Sequence, residues 1–185
     1  MTTTTKTMQT SQGSKIQFQP NQQFDGKKMR HYVNGQTSVL HCHHYASLFS
    51  QLADDAQDFQ GPKLLADASC ETFGQVLCDY FKKNNVTDTC DRIAIAEQYC
   101  VFSGMGEIQF QFGPNSGTAV MSHCHVDEGW VKKWGQRDKP VNFIGQGFIQ
   151  GCWGAIFDRQ PSECKVEETQ SIVCGAGTSQ FTINW

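Results

Sequence analysis

The sequence predicts an α+β domain in which a four-stranded antiparallel sheet, made of two hairpins, packs with about four helices around a ligand cavity. Three observations lead to this prediction. Apolar residues recur with the helical period through much of the first hundred positions. The period changes to two after Gly104 and Gly106, and a glycine-rich helical segment followed by two more alternating segments closes the chain.

Length and charge restrict the class of protein. The chain has 185 residues, which suits one domain, and its formal net charge is −3. Because no basic block is present, we expect no nucleic acid partner. The sequence contains no apolar run long enough to span a bilayer and no signal-peptide core near its start. We therefore expect no membrane partner and a cytoplasmic location.

The N-terminal region divides into two parts. Residues 1–23 are rich in Thr, Gln and Ser, so we predict a leader that is disordered or loosely draped on the domain. Residues 24–185 then form a single domain. It begins with an extended segment at 24–37 that is closed by a turn at Asn34-Gly35.

Three helices follow in the prediction. Thr37 or Ser38 caps the first, which runs to about Phe59. Its buried face is predicted from residues at i, i+3, i+4 and i+7 spacing, namely Tyr45, Leu48, Phe49 and Leu52. The second helix covers 64–83, and the third begins near Asp88 and ends near residue 102.

Five of the six histidines fall in two short runs. In the first run, the predicted buried face of the helix extends back through His41 and His44, whereas His43 points elsewhere. Two imidazoles on one inner helix face can bind a metal or a substrate. The alternative is a pair of hydrogen-bonded core histidines.

The second run lies on a predicted strand. Ile108, Phe110 and Phe112 alternate with polar residues, a turn occupies 113–117, and the return strand covers 118–126. Strand alternation would place His123 and His125 on the same face. Together the two runs predict a shared transition-metal site for Fe, Zn or Cu, held by His41, His44, His123 and His125.

Further residues complete the predicted site. Glu128 is a candidate carboxylate ligand or general base, although with Asp127 it can equally begin a helix. Cys42 is a candidate nucleophile in a metal-free variant, with a neighbouring histidine as base. Tyr45, beside the first histidine run, is the remaining catalytic candidate. The predicted substrate pocket is lined by His43, Trp130, Phe148 and Cys152.

The C-terminal region predicts a glycine-rich helix from Pro140 to about Phe157 and two strands at about 164–173 and 178–184. Glycines at 147, 151 and 154 give that helix a nearly flat side that another backbone can approach. The chain has nine cysteines and no CxxC pair. We predict reduced thiols, with Cys70, Cys78, Cys90 and Cys100 filling the core.

Residues 140–183 resemble a known family. The helix PVNFIGQGFIQGCWGAIF, followed by KVEETQSIVCGAGTSQFTI, is similar to the C-terminal half of the 4-vinyl reductase, or hydrocarbon-binding, domain family. The same ending also resembles the aminothiazoline-carboxylate hydrolase family. The resemblance implies an α+β fold around a hydrophobic ligand cavity, often in a homodimer.

The resemblance also bears on metal binding. In sensor members of the family, Cys and Glu residues near the final hairpin hold zinc. Glu167 or Glu168 can match the glutamate, but Ser171 and Ser179 stand where cysteines are expected. The resemblance therefore implies no metal ligand in this chain.

Three functional classes follow. The first is a small metal-dependent enzyme that acts on a small organic molecule between the two histidine runs. The second is a non-catalytic binding or carrier domain for a small hydrophobic or aromatic ligand. The third is an assembly module that uses the glycine-rich helix as an interface.

Overall fold

The computed structural model describes residues 8–39 and 41–185. Three short strands come first and pair with one another: β1 (Gln22–Asp25), β2 (Arg30–Val33) and β3 (Gln36–Ser38). The helices are α1 (His43–Asp55), α2 (Gly61–Lys83), α3 (Thr89–Phe102), α4 (His125–Trp134) and α5 (Phe143–Phe157). The strands of the main sheet are β4 (Gly106–Phe112), β5 (Ser116–Cys124), β6 (Lys165–Gln170) and β7 (Ser179–Asn184).

The main sheet has the strand order β4-β5-β7-β6, and every neighbouring pair is antiparallel. Its two hairpins confirm the predicted α+β class and the four-stranded sheet. The small β1-β2-β3 sheet is an addition that the sequence prediction did not contain. Within the described ranges, no helix has both the length and the apolar character that crossing a bilayer requires.

The core lies between the main sheet and helices α2 and α5. Phe110 and Phe112 extend from β4, Phe148 and Trp153 from α5, and Phe181 from β7, all with at most 1% of their surface exposed. These aromatic side chains fill the centre of the domain.

Local sequence sets the ends of several helices. The Asp88 carboxylate caps α3 by accepting a 3.1 Å hydrogen bond from the backbone N–H of Asp91. Asn142 caps α5 in the same way, through a 2.8 Å bond from the N–H of Gly145. Pro62 stands in the first turn of α2, where its missing N–H costs no helical hydrogen bond.

The N-terminal segment corrects the predicted disordered leader. Residues 8–21 lie against the domain, with Phe18 packed on the rings of Tyr80, Tyr99 and Phe102. The side chain of Gln98 bonds the backbone of Ile16 and Phe18. A few apolar residues thus anchor a segment that is polar on average, which fits a draped segment rather than a disordered one. Residues 1–7 lie outside the described part of the chain.

Helix α1 corrects the predicted buried face. Tyr45, Leu48, Phe49 and Leu52 are all exposed, whereas the residues that face the protein are small: Ala46, Ser47, Ser50 and Ala53. The reason is close packing, because a Cβ at Gly129 of α4 would lie 2.6 Å from the Ser47 hydroxyl. Large side chains do not fit between the two helices, so the periodic apolar residues face outward.

The second histidine run also lies differently from the prediction. Strand β5 ends at Cys124, and His125 begins α4. The strand alternation that would have placed His123 and His125 on one face therefore stops between them.

All nine cysteines are free thiols. Cys70 and Cys100 are buried as predicted, while Cys78 and Cys90 are only partly buried. Burial raises the pKa of the Cys100 thiol to about 12, so it stays protonated and inert at neutral pH.

Candidate functional site

The two histidine runs meet where the N-terminal ends of α1 and α4 cross. A cavity of about 200 Å³ opens there, lined by His43, His125, Glu128, Gly129 and Lys132. We call it the histidine cleft. Gly129 is essential to this crossing, since a side chain there would collide with His43 and Ser47.

His125 is the centre of the histidine group. Its ring centroid lies 5.9 Å from the ring of His41 and 5.9 Å from the ring of His43. His44 contacts the group only through His43, at 4.3 Å between centroids, and is itself exposed.

His123 lies apart from these rings. It is exposed, and its Nδ1 lies 3.3 Å from Glu128 Oε1. The structure therefore gathers His41, His43 and His125, rather than the four histidines of the predicted metal set. In the described part of the chain, no group of three or more His, Cys, Asp or Glu side chains is arranged to hold a metal ion.

Two ring nitrogens in the cleft are buried without partners. Nε2 of His43 and Nε2 of His125 have no hydrogen-bond partner among the described residues. Burial, followed by the neighbouring His41 and His43, lowers the pKa of His125. Its ring is therefore neutral at pH 7, and a neutral imidazole can donate one hydrogen bond and accept another.

Two of the three predicted catalytic residues, Cys42 and Tyr45, do not line the cleft. Cys42 is exposed and occupies the N-cap position of α1. Tyr45 is also exposed, and its ring contacts His41 at 6.1 Å and Phe49 at 4.8 Å. Glu128 is the predicted catalytic residue that does line the cleft.

The predicted pocket residues are likewise divided. His43 lines the cleft. Trp130 is buried in a small cluster with Val141 and Val173. Phe148 and Cys152 lie fully buried in the main core and do not belong to the cleft.

A buried polar cluster, which the sequence analysis missed, lies behind the cleft. Asp127 is fully buried and accepts hydrogen bonds from Ser179 Oγ at 2.6 Å and Asn142 Nδ2 at 3.3 Å. The backbone N–H of Asn142 donates to Glu168 Oε2 at 3.2 Å. Asn142 thus joins two carboxyl groups, which we call the acid pair.

Each member of the acid pair has one oxygen, Asp127 Oδ1 and Glu168 Oε1, that is buried without a partner among the described residues. Burial, followed by the charge of Asp127, raises the pKa of Glu168 to about 8. Burial also raises the pKa of Asp127, although the hydrogen bonds from Ser179, Cys124 and Asn142 oppose this rise. Glu168, with a pKa of about 8, keeps its proton at pH 7. The only feature of the sequence that pointed to this buried cluster was the position of Ser171 and Ser179 near Glu168 in the predicted final hairpin.

A second cavity, of about 250 Å³, lies between the N-terminal segment, the small sheet and the end of α2. It is lined mostly by amide side chains, with one acid and one base. Its lining residues are Gln19, Asn21, Asn34, Gln36, Val76, Asp79, Tyr80, Lys83 and Asn84.

Comparison with known proteins shows the fold. No family model and no curated protein sequence matches the chain. Among solved structures, the chain is similar to the phenol-responsive sensory domain of the transcription activator PoxR, crystallised with phenol. The TM-score is 0.72 at 13% sequence identity, and the match covers 88% of this chain and 84% of that one.

The chain also matches a trafficking protein particle complex subunit 3 from Naegleria fowleri, covalently bound to palmitic acid, with a TM-score of 0.47 and 10% identity. That match covers 76% of this chain and 94% of the other. At these identities the likeness to the sensory domain shows a shared α+β fold.

Proposed function

We propose that the chain is a binding domain for a small aromatic molecule that carries a hydroxyl group, held in the histidine cleft. The observation that carries the proposal is the likeness in fold to a phenol-responsive sensory domain over most of both chains. A fold alone does not specify a ligand, so the argument also depends on the chemistry of the cleft.

The cleft has the chemistry to recognise a hydroxyl group. Two imidazoles line it, and each has a buried Nε2 without a partner among the described residues; burial lowers the pKa of His125, so that ring is neutral at pH 7. A hydroxyl group can accept a hydrogen bond from one imidazole and donate to the other. Such a ligand would satisfy both nitrogens, whose burial is otherwise unfavourable.

The size and rim of the cleft limit the ligand further. Its volume of about 200 Å³ lies below the range of drug-sized sites, which favours a single-ring molecule. Glu128 and Lys132 also line the cleft, so one acidic and one basic side chain lie at it. A neutral phenolic molecule therefore fits better than a strongly charged one.

Titration calorimetry with phenol at pH 7 tests the proposal. We expect saturable binding at one site per chain and a loss of affinity of about three- to tenfold in His43→Ala and in His125→Ala, which is the effect of one neutral hydrogen bond. His31→Ala is the matched control, because His31 is an exposed histidine that packs on Phe24, away from the cleft.

Two results would contradict this assignment. Phenol binding that both cleft variants leave unchanged would place the ligand elsewhere in the fold. Absence of saturable binding by the folded wild-type protein, at concentrations up to the solubility of the probe, would reject phenolic ligands.

The predicted metal-dependent enzyme is the second candidate, with Fe, Zn or Cu as the ion. The meeting of the two histidine runs at His125 favours testing it, although the described residues hold no group of three side chains already arranged for a metal. Metal analysis of protein purified without a histidine tag should then find about one ion per chain that is lost in His125→Ala. Binding of phenol without any metal requirement would favour the first candidate.

A further inference from the structure

The second cavity, which we call the amide cavity, shares no lining residue with the histidine cleft. Its lining is almost entirely polar, and among the described residues that form it only Val76 is aliphatic. Its volume of about 250 Å³ lies below the range of drug-sized sites. A ligand of this cavity must therefore be small and polar, unlike the aromatic ligand proposed for the cleft.

Asn34 provides a hydrogen-bond donor whose orientation is fixed. It lies in the turn between β2 and β3 with a left-handed φ of 51°. Its Oδ1 accepts a 2.8 Å hydrogen bond from the backbone N–H of Asn21, so the side-chain amide can face only one way. Its Nδ2 is left buried without a partner among the described residues. Since an unpaired buried donor is unfavourable, an acceptor on a ligand would be stabilised here.

Two groups at the C-terminal end of α2 are fixed by backbone partners in the same manner. The hydroxyl oxygen of Tyr80 accepts from the backbone N–H of Gln19 at 2.8 Å, which leaves its hydrogen to donate. Asn84 Nδ2 donates to the carbonyl oxygen of Tyr80 at 2.9 Å, which leaves its side-chain oxygen to accept. The cavity thus has oriented donors and an oriented acceptor.

One acidic and one basic side chain, Asp79 and Lys83, also line the cavity. They lie one helical turn apart on α2, a spacing at which opposite charges commonly pair. In the described part of the chain, neither of them forms an ion pair. Gln75 donates to Asp79 Oδ1 at 2.7 Å, so Asp79 Oδ2 is the oxygen left to accept.

We propose that the amide cavity binds a small zwitterion of the α-amino acid class. The carboxylate of the ligand accepts hydrogen bonds from Asn34 Nδ2, the Tyr80 hydroxyl and the Lys83 ammonium. The ammonium of the ligand donates to Asp79 Oδ2 and Asn84 Oδ1. Because a carboxylate only accepts and an ammonium only donates, each lining group acts in the role that its bond within the protein leaves open.

Other small polar ligands fit the same groups less well. A neutral polyol can form the hydrogen bonds but leaves both charged side chains without a charged partner. A small ion of one sign meets a like charge on either Asp79 or Lys83. The zwitterion is the class that uses both charges and all three oriented groups.

Titration calorimetry of the full chain at pH 7 tests the proposal, with each soluble standard amino acid as a probe at up to about 10 mM. We expect at least one of them to bind saturably at one site per chain. Its α-carboxamide and its N-acetyl derivative each lack one charge and should bind at least about tenfold more weakly, because each loses charge-assisted hydrogen bonds.

Two nearly isosteric variants locate the site. Asn34→Asp keeps the acceptor for Asn21 and tolerates the left-handed backbone, but it sets a carboxylate against that of the ligand and should weaken binding at least about tenfold. Asp79→Asn should weaken binding about two- to fivefold, as expected for an exposed charge. Glu71→Gln is the control, since Glu71 is an exposed acid of α2 outside the cavity.

Filling the cavity gives a second, independent test. Gln36→Trp on β3 should abolish binding, whereas Thr37→Trp, on the opposite face of the same strand, should leave it unchanged. Thermal melting of each variant confirms that it is folded. The proposal is overturned if no amino acid binds saturably to the folded wild type, or if binding survives both Asn34→Asp and Gln36→Trp. Equal binding of the two blocked derivatives, or of myo-inositol as a neutral polyol, would overturn it as well.

Discussion

Asn142 illustrates how much a single residue can determine in this domain. Its side chain caps α5, donates to Asp127 and lies 2.9 Å from the Cys124 thiol, while its backbone N–H donates to Glu168. Residues from four segments of the chain are held together at this point. The acid pair therefore couples the protonation of Glu168 to folding.

The pH dependence of stability tests this coupling. The pKa of Glu168 is raised from 4.5 to about 8 in the folded protein. Between those values the native state keeps a proton that the unfolded chain releases, so this contribution to the free energy of unfolding is present at low pH and is lost as the pH rises toward 8. Glu168→Gln mimics the protonated acid and should be more stable than wild type at pH 8, by about 4 kcal/mol, with the gap closing toward pH 5.

Urea unfolding of both proteins from pH 5 to 8.5 measures the effect. Glu167→Gln is the control, because Glu167 is the exposed neighbour that pairs only with Lys165 at the surface. Parallel stability profiles for wild type and Glu168→Gln would show that Glu168 is already ionised at neutral pH in the folded protein.

At the residue scale, the sequence predicted that the two histidine runs meet, but not which of their rings come together. His41, His43 and His125 belong to the two runs that composition singled out, and they do meet. Their grouping could not be predicted, because β5 ends at Cys124, two residues before the predicted end at 126, and this places His125 at a helix terminus instead of on a strand face. The acid pair left no local pattern, since its two members are 41 positions apart in a cluster that exists only after folding.

The α2–α5 crossing is the most tightly packed contact between elements. The position where a Cβ of Gly74 would stand is 3.3 Å from Gly151 Cα, and a Cβ at Gly151 would lie 2.5 Å from the carbonyl oxygen of Cys70 and 2.9 Å from the backbone nitrogen of Gly74. The obstacles are backbone atoms, which cannot rotate away. This agrees with the flat helix side predicted from the glycine spacing.

Gly151→Ala should therefore lower the free energy of unfolding by about 1–3 kcal/mol, the usual effect of overpacking a core contact. Gly177→Ala is the matched control, since a Cβ there meets no atom within 4 Å and its backbone is in an ordinary conformation. Urea unfolding compares the two variants with wild type. Equal stability of all three proteins would mean that α2 and α5 can separate at little cost.

At the element scale, periodicity predicted α2, α3 and both hairpins, because in these elements large apolar residues do face the core. It gave the wrong orientation for α1. Periodicity identifies an apolar stripe but does not say what the stripe faces, and on α1 the small residues make the close contact with α4. An apolar stripe beside an equally continuous row of Ala and Ser therefore does not by itself tell which face of the helix packs against the domain.

For the whole molecule, the fold class could be predicted from where the spacing of apolar residues changes from the helical period to the strand period along the chain. The likeness to a sensory domain of the same fold agrees with this class. The position of the histidine cleft did not follow. It lies at the α1–α4 crossing, whereas the main core between the sheet and helices α2 and α5 is packed with aromatic side chains. Side-chain packing of this kind depends on contacts between distant segments, which periodicity alone does not describe.

Histidine-detected NMR during a phenol titration tests the central claim most directly. The ring signals of His43 and His125 should shift together and saturate at one phenol per chain, while those of His31 should stay in place. Shifts confined to signals from the core around Phe148 and Cys152, with unchanged histidine rings, would contradict the account and place the ligand inside the domain instead.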